Sequence, residues 1–186
     1  MNRWAGPDRH ERVPRGFTLI ELMASVAIAA VLVSAGLPSY RHWLGQYRLN
    51  NQAEFLAGAA NEARSEAVRR NLRVTLCKTR DASSCDEDAG WEQGWIMFVD
   101  QNQNGDLDGG EPILRIEGPA QAPISVRGNA PVANYISFTA LGHARMLSGA
   151  LQMGTLQLCS PGYEAVKVVL ANGGRARIEH TKERCA

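Results

Sequence analysis

The sequence predicts an α+β fold in which one long N-terminal helix supports a β-rich head, and three observations lead to that class. Residues 17–37 form an apolar run that is broken by one carboxylate. Small and apolar residues then recur at alternating steps of four and three between residues 49 and 67. Beyond residue 73, short runs of β-branched and aromatic residues alternate with Gly, Pro and Asn, which is typical of antiparallel hairpins.

The charge of the chain is nearly balanced, with 20 Lys and Arg against 19 Asp and Glu among 186 residues. The average charge therefore indicates neither a nucleic-acid-binding protein nor a binder of acidic ligands, so any basic function has to be local. No nucleophile–base pattern surrounds the histidines, and the sequence has no phosphate-binding or dinucleotide-binding glycine motif. We therefore expect no enzyme activity, no cofactor and no bound metal ion.

The N-terminal segment combines a basic leader with a long apolar run. Residues 1–16 carry four arginines against two carboxylates, so we expect them to stay in the cytoplasm. The run from Phe17 to Leu37 is long enough, at about 1.5 Å per residue, to cross a hydrocarbon core of about 30 Å. It predicts a transmembrane helix. An ordinary secretory signal is cleaved after its apolar region, whereas here Gly16 precedes it.

Glu21 places a carboxylate inside this apolar helix. A charge there costs about 2.5–3.5 kcal/mol on insertion scales, so the residue marks a functional position. If the chain is cut after Gly16, the new amine of Phe17 lies one helical turn from Glu21 and can pair with it, as can the amine of a neighbouring subunit. The alternative is that Glu21 reaches the membrane interface near the end of the helix.

The segment RGFTLIEL at residues 15–22 resembles the processing motif of type IV prepilins and type II secretion pseudopilins. The resemblance implies cleavage after Gly16 by a prepilin peptidase, N-methylation of Phe17, and a role for Glu21 in docking into a growing filament. Pro38 matches a helix-kinking position of the same family, since proline removes one backbone hydrogen bond. The implied fold is type IV pilin-like, with a helical spine packed against an antiparallel β-sheet head.

The second half of the spine is predicted from a stripe on one helical face, formed by Leu49, Ala53, Leu56, Ala60, Ala63 and Ala67. Because most of these residues are alanines, a sheet can approach the stripe closely. The predicted boundaries are a leader at 1–16, a transmembrane helix at 17–37, a periplasmic amphipathic helix at 38–71 and a β-rich head at 72–186. The alternative is a membrane anchor followed by an unrelated short helix.

All four cysteines lie downstream of the apolar run, at Cys77, Cys85, Cys159 and Cys185. An even set in this position indicates disulfides formed on the oxidising side of a membrane. Three pairings are possible, and the sequence does not choose among them. Short loops close more easily, which favours Cys77 with Cys85 and Cys159 with Cys185.

Residues 100–111, DQNQNGDLDGGE, have the spacing of a calcium-binding loop, with oxygen-bearing side chains at alternate positions, Gly at the sixth and Glu at the twelfth. Their flanks predict strands, whereas the helix–loop–helix context of that spacing is missing. We therefore predict a hairpin loop, because Asn, Asp and Gly are also turn residues. Residues 94–115 are similar to a strand and Glu-Pro-Ile-Leu-Arg segment in the FimT and GspH branch of minor pilins.

A local basic motif lies near the carboxyl end. Residues 170–178 predict a hairpin with an Asn-Gly turn. Arg175 and Arg177 are two apart, so in an extended segment both point to one face, where they can contact successive phosphates. The alternative is a solvated strand face whose arginines pair with Glu179 and Glu183.

The residues GRAR at 174–177 are similar to the Gly-Arg-x-Arg motif by which FimT-type minor pilins bind DNA during natural transformation. The resemblance implies DNA-binding roles for Gly174, Arg175 and Arg177. Such phosphate contacts are largely independent of base sequence and weaken steeply with salt. Further cations that can extend the surface, although no spacing places them there, are Arg127, Arg145 and Lys167.

Together the resemblances imply a minor pilin of a type IV pilus, located near the tip and able to bind DNA for uptake. The chain would sit in the inner membrane by a single pass, with its head in the periplasm, before it joins an extracellular filament. The implied partners are the prepilin peptidase, the inner-membrane assembly platform, the major pilin, other minor pilins and double-stranded DNA. The alternative is a type II secretion pseudopilin of the GspH kind, assembled into a periplasmic pseudopilus.

Overall fold

The computed structural model describes residues 16–185, and it divides into two compact units that meet between Arg41 and His42. One helix, α1 (Leu19–Arg70), contributes to both. Among the described residues no single straight helix passes a hydropathy test for a membrane span; the two segments of α1 on either side of a bend, Leu19–Ser34 and Ser39–Arg70, pass it together by length and composition alone.

The described part of the head contains eight strands in two antiparallel sheets of four. They are β1 (Val74–Lys78), β2 (Trp95–Val99), β3 (Ile113–Glu117), β4 (Ser125–Gly128), β5 (Tyr135–Phe138), β6 (Gly154–Cys159), β7 (Glu164–Leu170) and β8 (Ala176–Arg184). Sheet A has the order β3-β2-β1-β5 and sheet B the order β4-β6-β7-β8. The predicted α+β class is confirmed, with two sheets in the place of one.

The core of the head forms around the alanine-rich stripe of α1. All six stripe residues, from Leu49 to Ala67, are at most 2% exposed. They share one apolar cluster with Leu76 and Met97 of sheet A and with Leu156 and Val168 of sheet B. The small alanine side chains let the backbones of both sheets approach the helix, and removal of this apolar area from water stabilises the packing.

Two disulfides fasten the head, and no cysteine in the described chain is free. Cys77–Cys85 closes the segment that follows β1. Cys159–Cys185 joins the end of β6 to the residue after β8, so the last strand is held at its carboxyl end. These are the two local pairs that loop closure favours.

Candidate functional site

The start of α1 carries the residues of the processing motif. Gly16 and Phe17 precede the helix and are exposed. The Thr18 N–H and hydroxyl both donate to the Glu21 carboxylate, at 3.0 Å, while the Glu21 N–H donates to the Thr18 hydroxyl at 3.3 Å. This reciprocal arrangement is a capping box, which satisfies amides that a helix start leaves without partners. Glu21 therefore has a local role in the intact chain. Residues 1–15 of the predicted leader at 1–16 lie outside the described residues.

The first half of α1 presents large apolar side chains that the described chain leaves exposed. They include Leu19, Ile20, Leu22, Met23, Val26, Ile28, Val31, Leu32 and Val33, and Phe17 just before the helix is exposed as well. A contiguous apolar surface of this kind marks contact with lipid or with other proteins. It is the surface that an anchor helix requires.

The hairpin of β7 and β8 carries the predicted arginines. Ala176 is 5% exposed and packs in the core, so Arg177, the next residue along the strand, points outward. The prediction that Arg175 shares its strand is wrong, because β8 begins at Ala176 and Arg175 is the last residue of the connection. Its carbonyl accepts a hydrogen bond from the Ala171 N–H at 2.9 Å, which closes the turn.

Gly174 is buried in this turn, where both its backbone conformation and a close approach of the Gly142 backbone require glycine. Its φ of +77° lies in the left-handed region, which residues with a Cβ adopt at a cost. A Cβ at this position would lie 2.4 Å from the Gly142 carbonyl oxygen and 3.1 Å from the Ala144 nitrogen. The position accepts only glycine without strain, and its observed role is to let two backbone segments meet.

Asn61 of α1 holds the first residue of β8 from the other side. Its side-chain amide donates to the Ala176 carbonyl at 3.2 Å, and its side-chain oxygen accepts the Ala176 N–H at 3.1 Å. Both main-chain groups of Ala176 are thus satisfied by one side chain. The residue between the two arginines is therefore fixed to the helix. Sequence reasoning missed Asn61, since nothing in its surroundings along the chain indicates a partner in the last strand.

Strand pairing brings further polar groups to the side of sheet B that faces away from the core. Register places Arg127, Gln157, Lys167 and Glu179 directly opposite one another across β4, β6, β7 and β8. These four residues together with Arg177 are called here the outer face of sheet B. A groove of about 910 Å³ runs along it, lined by the first four. Arg145 is not part of this face, because its N–H donates to the carbonyl of Ser137 in β5 of sheet A.

Carboxylates on β8 partly neutralise this face. Arg177 pairs with Glu179 at 2.5 Å, and Lys167 pairs with Glu183 at 2.9 Å. Within residues 16–185, Arg127 and Arg175 have no carboxylate partner within 4.0 Å. Exposed ion pairs contribute only about 0–1 kcal/mol, so breaking the pairs with Glu179 and Glu183 costs little. The three cations Arg127, Lys167 and Arg177 exceed the two carboxylates by one charge, so this face is weakly cationic.

The Asp100–Glu111 segment is a hairpin loop between the paired strands β2 and β3, as predicted. Asn102 and Asn104 donate to the Asp108 carboxylate at 2.8 and 2.7 Å and lower its pKa. Burial raises the pKa of Asp100, against the effect of hydrogen bonds from Thr75 and Gly105. Across residues 16–185, no group of three or more His, Cys, Asp or Glu side chains converges on a common point as a metal site does.

Two family models match the chain. The model described as Type II transport protein GspH matches residues 52–174, and the model of the prokaryotic N-terminal methylation motif matches residues 12–37. The latter implies a hydrophobic N-terminal anchor helix and assembly into a filament, in agreement with the exposed apolar surface of α1.

Individual relatives agree with these models. The chain is 33% identical over 165 residues to the Pilin-like protein PilA1 of Thermus thermophilus, which covers 89% of this chain and 98% of the relative. Among solved structures, the type IV minor pilin FimU of Pseudomonas aeruginosa is similar with a TM-score of 0.55 and 20% identity, covering 75% of this chain and 97% of that one.

A further solved structure, the minor pseudopilin EpsH of the Type 2 Secretion System of Vibrio cholerae, has a TM-score of 0.50 at 11% identity and covers 73% of this chain and 99% of that one. At such identities the solved structures establish the fold alone. The sequence matches establish more, since they cover the head, the apolar helix and its processing motif. The chain therefore belongs to the GspH family and is a minor pilin or pseudopilin of a type IV pilus or a type II secretion system.

Proposed function

We propose that this chain is a minor pilin of a type IV pilus and that its head binds double-stranded DNA through the outer face of sheet B and the turn before β8. The proposal of DNA binding rests on one observation: contacts from other parts of the head hold the backbone of the Arg175-Ala176-Arg177 segment in place. Asn61 holds Ala176 through both main-chain groups, and Gly174 seats the turn against Gly142. Two cations two residues apart are thus presented on a fixed backbone.

Recognition of DNA on this surface depends on charge and shape. Arg127 and Lys167 extend the cationic surface across sheet B from Arg177, and the groove between them is open to a polyanion. Guanidinium groups form paired hydrogen bonds with phosphate oxygens. Contacts of this type position DNA without reading its bases, so binding is expected to be independent of sequence and sensitive to salt.

Gel-shift titration of the full chain in detergent against a 30-base-pair duplex tests this site. Arg175→Ala/Arg177→Ala should weaken binding at least about tenfold and reduce the slope of log affinity against log salt by about 2, since two phosphate contacts are lost. The matched control is Arg69→Ala/Arg80→Ala, which removes the same charge from other exposed sites. Equal affinity of the two double variants would remove the site from the proposal.

The filament part of the proposal rests on the N-terminal motif and on the relatives. The pilin-like relative supports a pilus because it is similar over nearly its whole length. We place the cut after Gly16, the methyl group on the new Phe17 amine, and that amine near the Glu21 carboxylate. The chain then crosses the inner membrane once, with a periplasmic head, before the assembly platform adds it near the pilus tip beside the major pilin and other minor pilins.

Mass spectrometry of the protein in sheared filaments tests processing and assembly together. The expected species starts at methylated Phe17, and Glu21→Val should be processed yet absent from the filament fraction. The control Glu54→Val changes an exposed glutamate of the second half of α1 and should assemble normally. Protein that retains Met1, or that is cut elsewhere, contradicts the proposal. Immunogold labelling along the whole shaft would contradict the tip position.

The second candidate is a subunit of a type II secretion pseudopilus, which the fold similarity to the pseudopilin EpsH supports. The two candidates differ in the phenotype of a deletion strain. Loss of surface pili and of DNA uptake with normal secretion supports the pilus subunit. Loss of secreted enzymes with normal pili supports the pseudopilin.

A further inference from the structure

We propose, in place of the expectation from the sequence that no metal ion is bound, that the hairpin loop Asp100–Glu111 binds one calcium ion. The loop connects β2 and β3 of sheet A, whereas the proposed DNA contacts lie on sheet B and in the turn before β8. A calcium site here is therefore a separate property of the head, and it can be tested independently of the proposed function.

The ligands follow from the spacing of the loop. In a twelve-residue calcium loop, side-chain oxygens come from the first, third, fifth, ninth and twelfth positions, here Asp100, Asn102, Asn104, Asp108 and Glu111. The seventh position supplies its main-chain carbonyl, and the sixth is glycine because the chain turns sharply there. Gly105 occupies that sixth position with a φ of +84°. The backbone requirement of the motif is thus met in a loop that has strands on both sides.

The structure turns these side chains toward one another. The amides of Asn102 and Asn104 both donate to Oδ2 of Asp108, at 2.8 and 2.7 Å. The Glu111 carboxylate accepts the N–H groups of Gln101 and Asp108, at 2.7 and 3.1 Å. Hydrogen bonds therefore link the third, fifth and twelfth positions of the loop to the ninth.

An independent observation comes from Asp100. The residue is 1% exposed, and its Oδ2 accepts the Gly105 N–H at 3.1 Å and the Thr75 hydroxyl at 2.9 Å. The bond to Gly105 places the carboxylate beside the sixth residue of the loop, and the bond to Thr75 joins it to β1. Its Oδ1 is buried without any hydrogen-bond partner. A buried carboxylate oxygen without a partner is costly, and a cation inside the loop would satisfy it.

The nearby cation does not fulfil that role. Arg73 lies close enough to act on the charge of Asp100, but its Nη1 donates to the Ser137 hydroxyl at 2.9 Å and to the Arg145 carbonyl at 3.4 Å. Its Nε is also buried without a partner. Residues 100–111 contain four carboxylates and no Lys or Arg, so the loop has no internal counter-charge. This excess of negative charge favours a divalent cation.

The loop is attached to the core on one side. Leu107 packs on the cluster of Cys77, Ile96 and Phe98, and the Cys85 sulfur lies 3.8 Å from the Gly105 carbonyl oxygen. The Cys77–Cys85 disulfide therefore lies against the turn of the loop and joins it to β1. An anchored loop loses less conformational entropy when it closes on an ion.

Calcium binding exchanges some of the present hydrogen bonds for metal bonds. The carboxylates of Asp100, Asp108 and Glu111 do not yet converge, since each is held by amide donors. Calcium takes six to eight oxygens in flexible geometry. Binding therefore requires these carboxylates to turn toward the ion, together with the amide oxygens of Asn102 and Asn104, which now accept the N–H groups of Asn104 and Asp106. The expected dissociation constant is about 10⁻⁴–10⁻³ M, the range of extracellular calcium modules.

Calorimetric titration of CaCl2 into the EDTA-treated full chain in detergent tests the proposal. We expect saturable binding of one ion and a melting temperature that rises with calcium up to about 10 mM, but not with NaCl of equal ionic strength. Glu111→Gln should weaken affinity at least about tenfold. The control Glu87→Gln removes an exposed carboxylate outside the loop and should bind as the unchanged chain does.

The outcomes are distinct. Absence of binding heat together with an unchanged melting temperature at 10 mM CaCl2 overturns the proposal, and so does binding that Glu111→Gln leaves intact. Equal affinity for magnesium and calcium also contradicts a loop of this type, because magnesium demands a stricter octahedral geometry. A loss of DNA binding in the arginine variants does not affect any of these results.

Discussion

Replacement of Gly174 by alanine should destabilise the head, whereas the same change at the adjacent Gly173 should not. Gly174 has a φ of +77°, and an added Cβ would meet the Gly142 carbonyl oxygen at 2.4 Å. A Cβ added at Gly173 would meet no atom within 4 Å, and the φ of Gly173 is not left-handed. The two glycines are neighbours in one turn, so Gly173→Ala is a matched control for the effect of backbone conformation and close contact at Gly174.

The size of the effect has two parts. A residue with a Cβ in the left-handed region costs about 1–2 kcal/mol. A contact of 2.4 Å with a main-chain oxygen cannot be relieved by side-chain rotation, and overpacking of that kind costs about 1–3 kcal/mol. Alanine also lowers the conformational entropy of the unfolded chain, which raises the free energy of unfolding of both variants by about 0.4–1 kcal/mol. We expect Gly174→Ala to lose about 1–4.5 kcal/mol and Gly173→Ala to change by no more than about 1 kcal/mol in the stabilising direction.

Urea unfolding of the full chain in detergent, followed by tryptophan fluorescence, measures both values. Trp91 and Trp95 are 3% and 1% exposed, so their emission reports the unfolding of the head. Equal midpoints for the two variants would refute the reasoning, because they would show that the Gly142 contact does not constrain Gly174. A destabilised Gly174 variant would instead explain the glycine of the basic motif by support of the turn rather than by contact with DNA.

Two further predictions concern the stability of the head. Cys159→Ser/Cys185→Ser opens a link between residues 26 apart and should cost about 3.5 kcal/mol; a midpoint that is the same in oxidised and reduced protein would contradict it. The Arg115 guanidinium lies 4.7 Å from the Phe55 ring centre and 5.4 Å from that of Trp95, so Arg115→Gln should cost about 1 kcal/mol by urea unfolding, and an unchanged midpoint would exclude a cation–π contribution.

The sequence predicted the elements of the fold but not their arrangement. The stripe from Leu49 to Ala67 and the alternation in the strands are local signals, and each element lies where they indicate. The division into two sheets is not local. It depends on β5 pairing with β1 while β4 pairs with β6. The alternation of apolar and polar residues within a strand does not indicate which other strand it pairs with.

The candidate site shows the same limit. Alternation predicted that Arg177 points outward, because Ala176 and Ile178 belong to the core side. The position of Arg175 depended on where the turn ends, and the hydrogen bond from the Ala171 N–H to the Arg175 carbonyl places Arg175 in the turn. The contact between Asn61 and Ala176 joins residues 115 apart in the chain, and only the folded structure brings such groups together.

The last strand is fastened at both of its ends. At its start the Asn61 side chain grips Ala176, and beyond its end Cys185 is bonded to Cys159. A pull applied at Arg177 is therefore shared between the helix and β6 and does not act on the hydrogen bonds to β7 alone. Because β8 is held to α1 at its start and to β6 after its end, tension on a ligand bound at Arg177 would be transmitted to α1 before β8 could separate from β7.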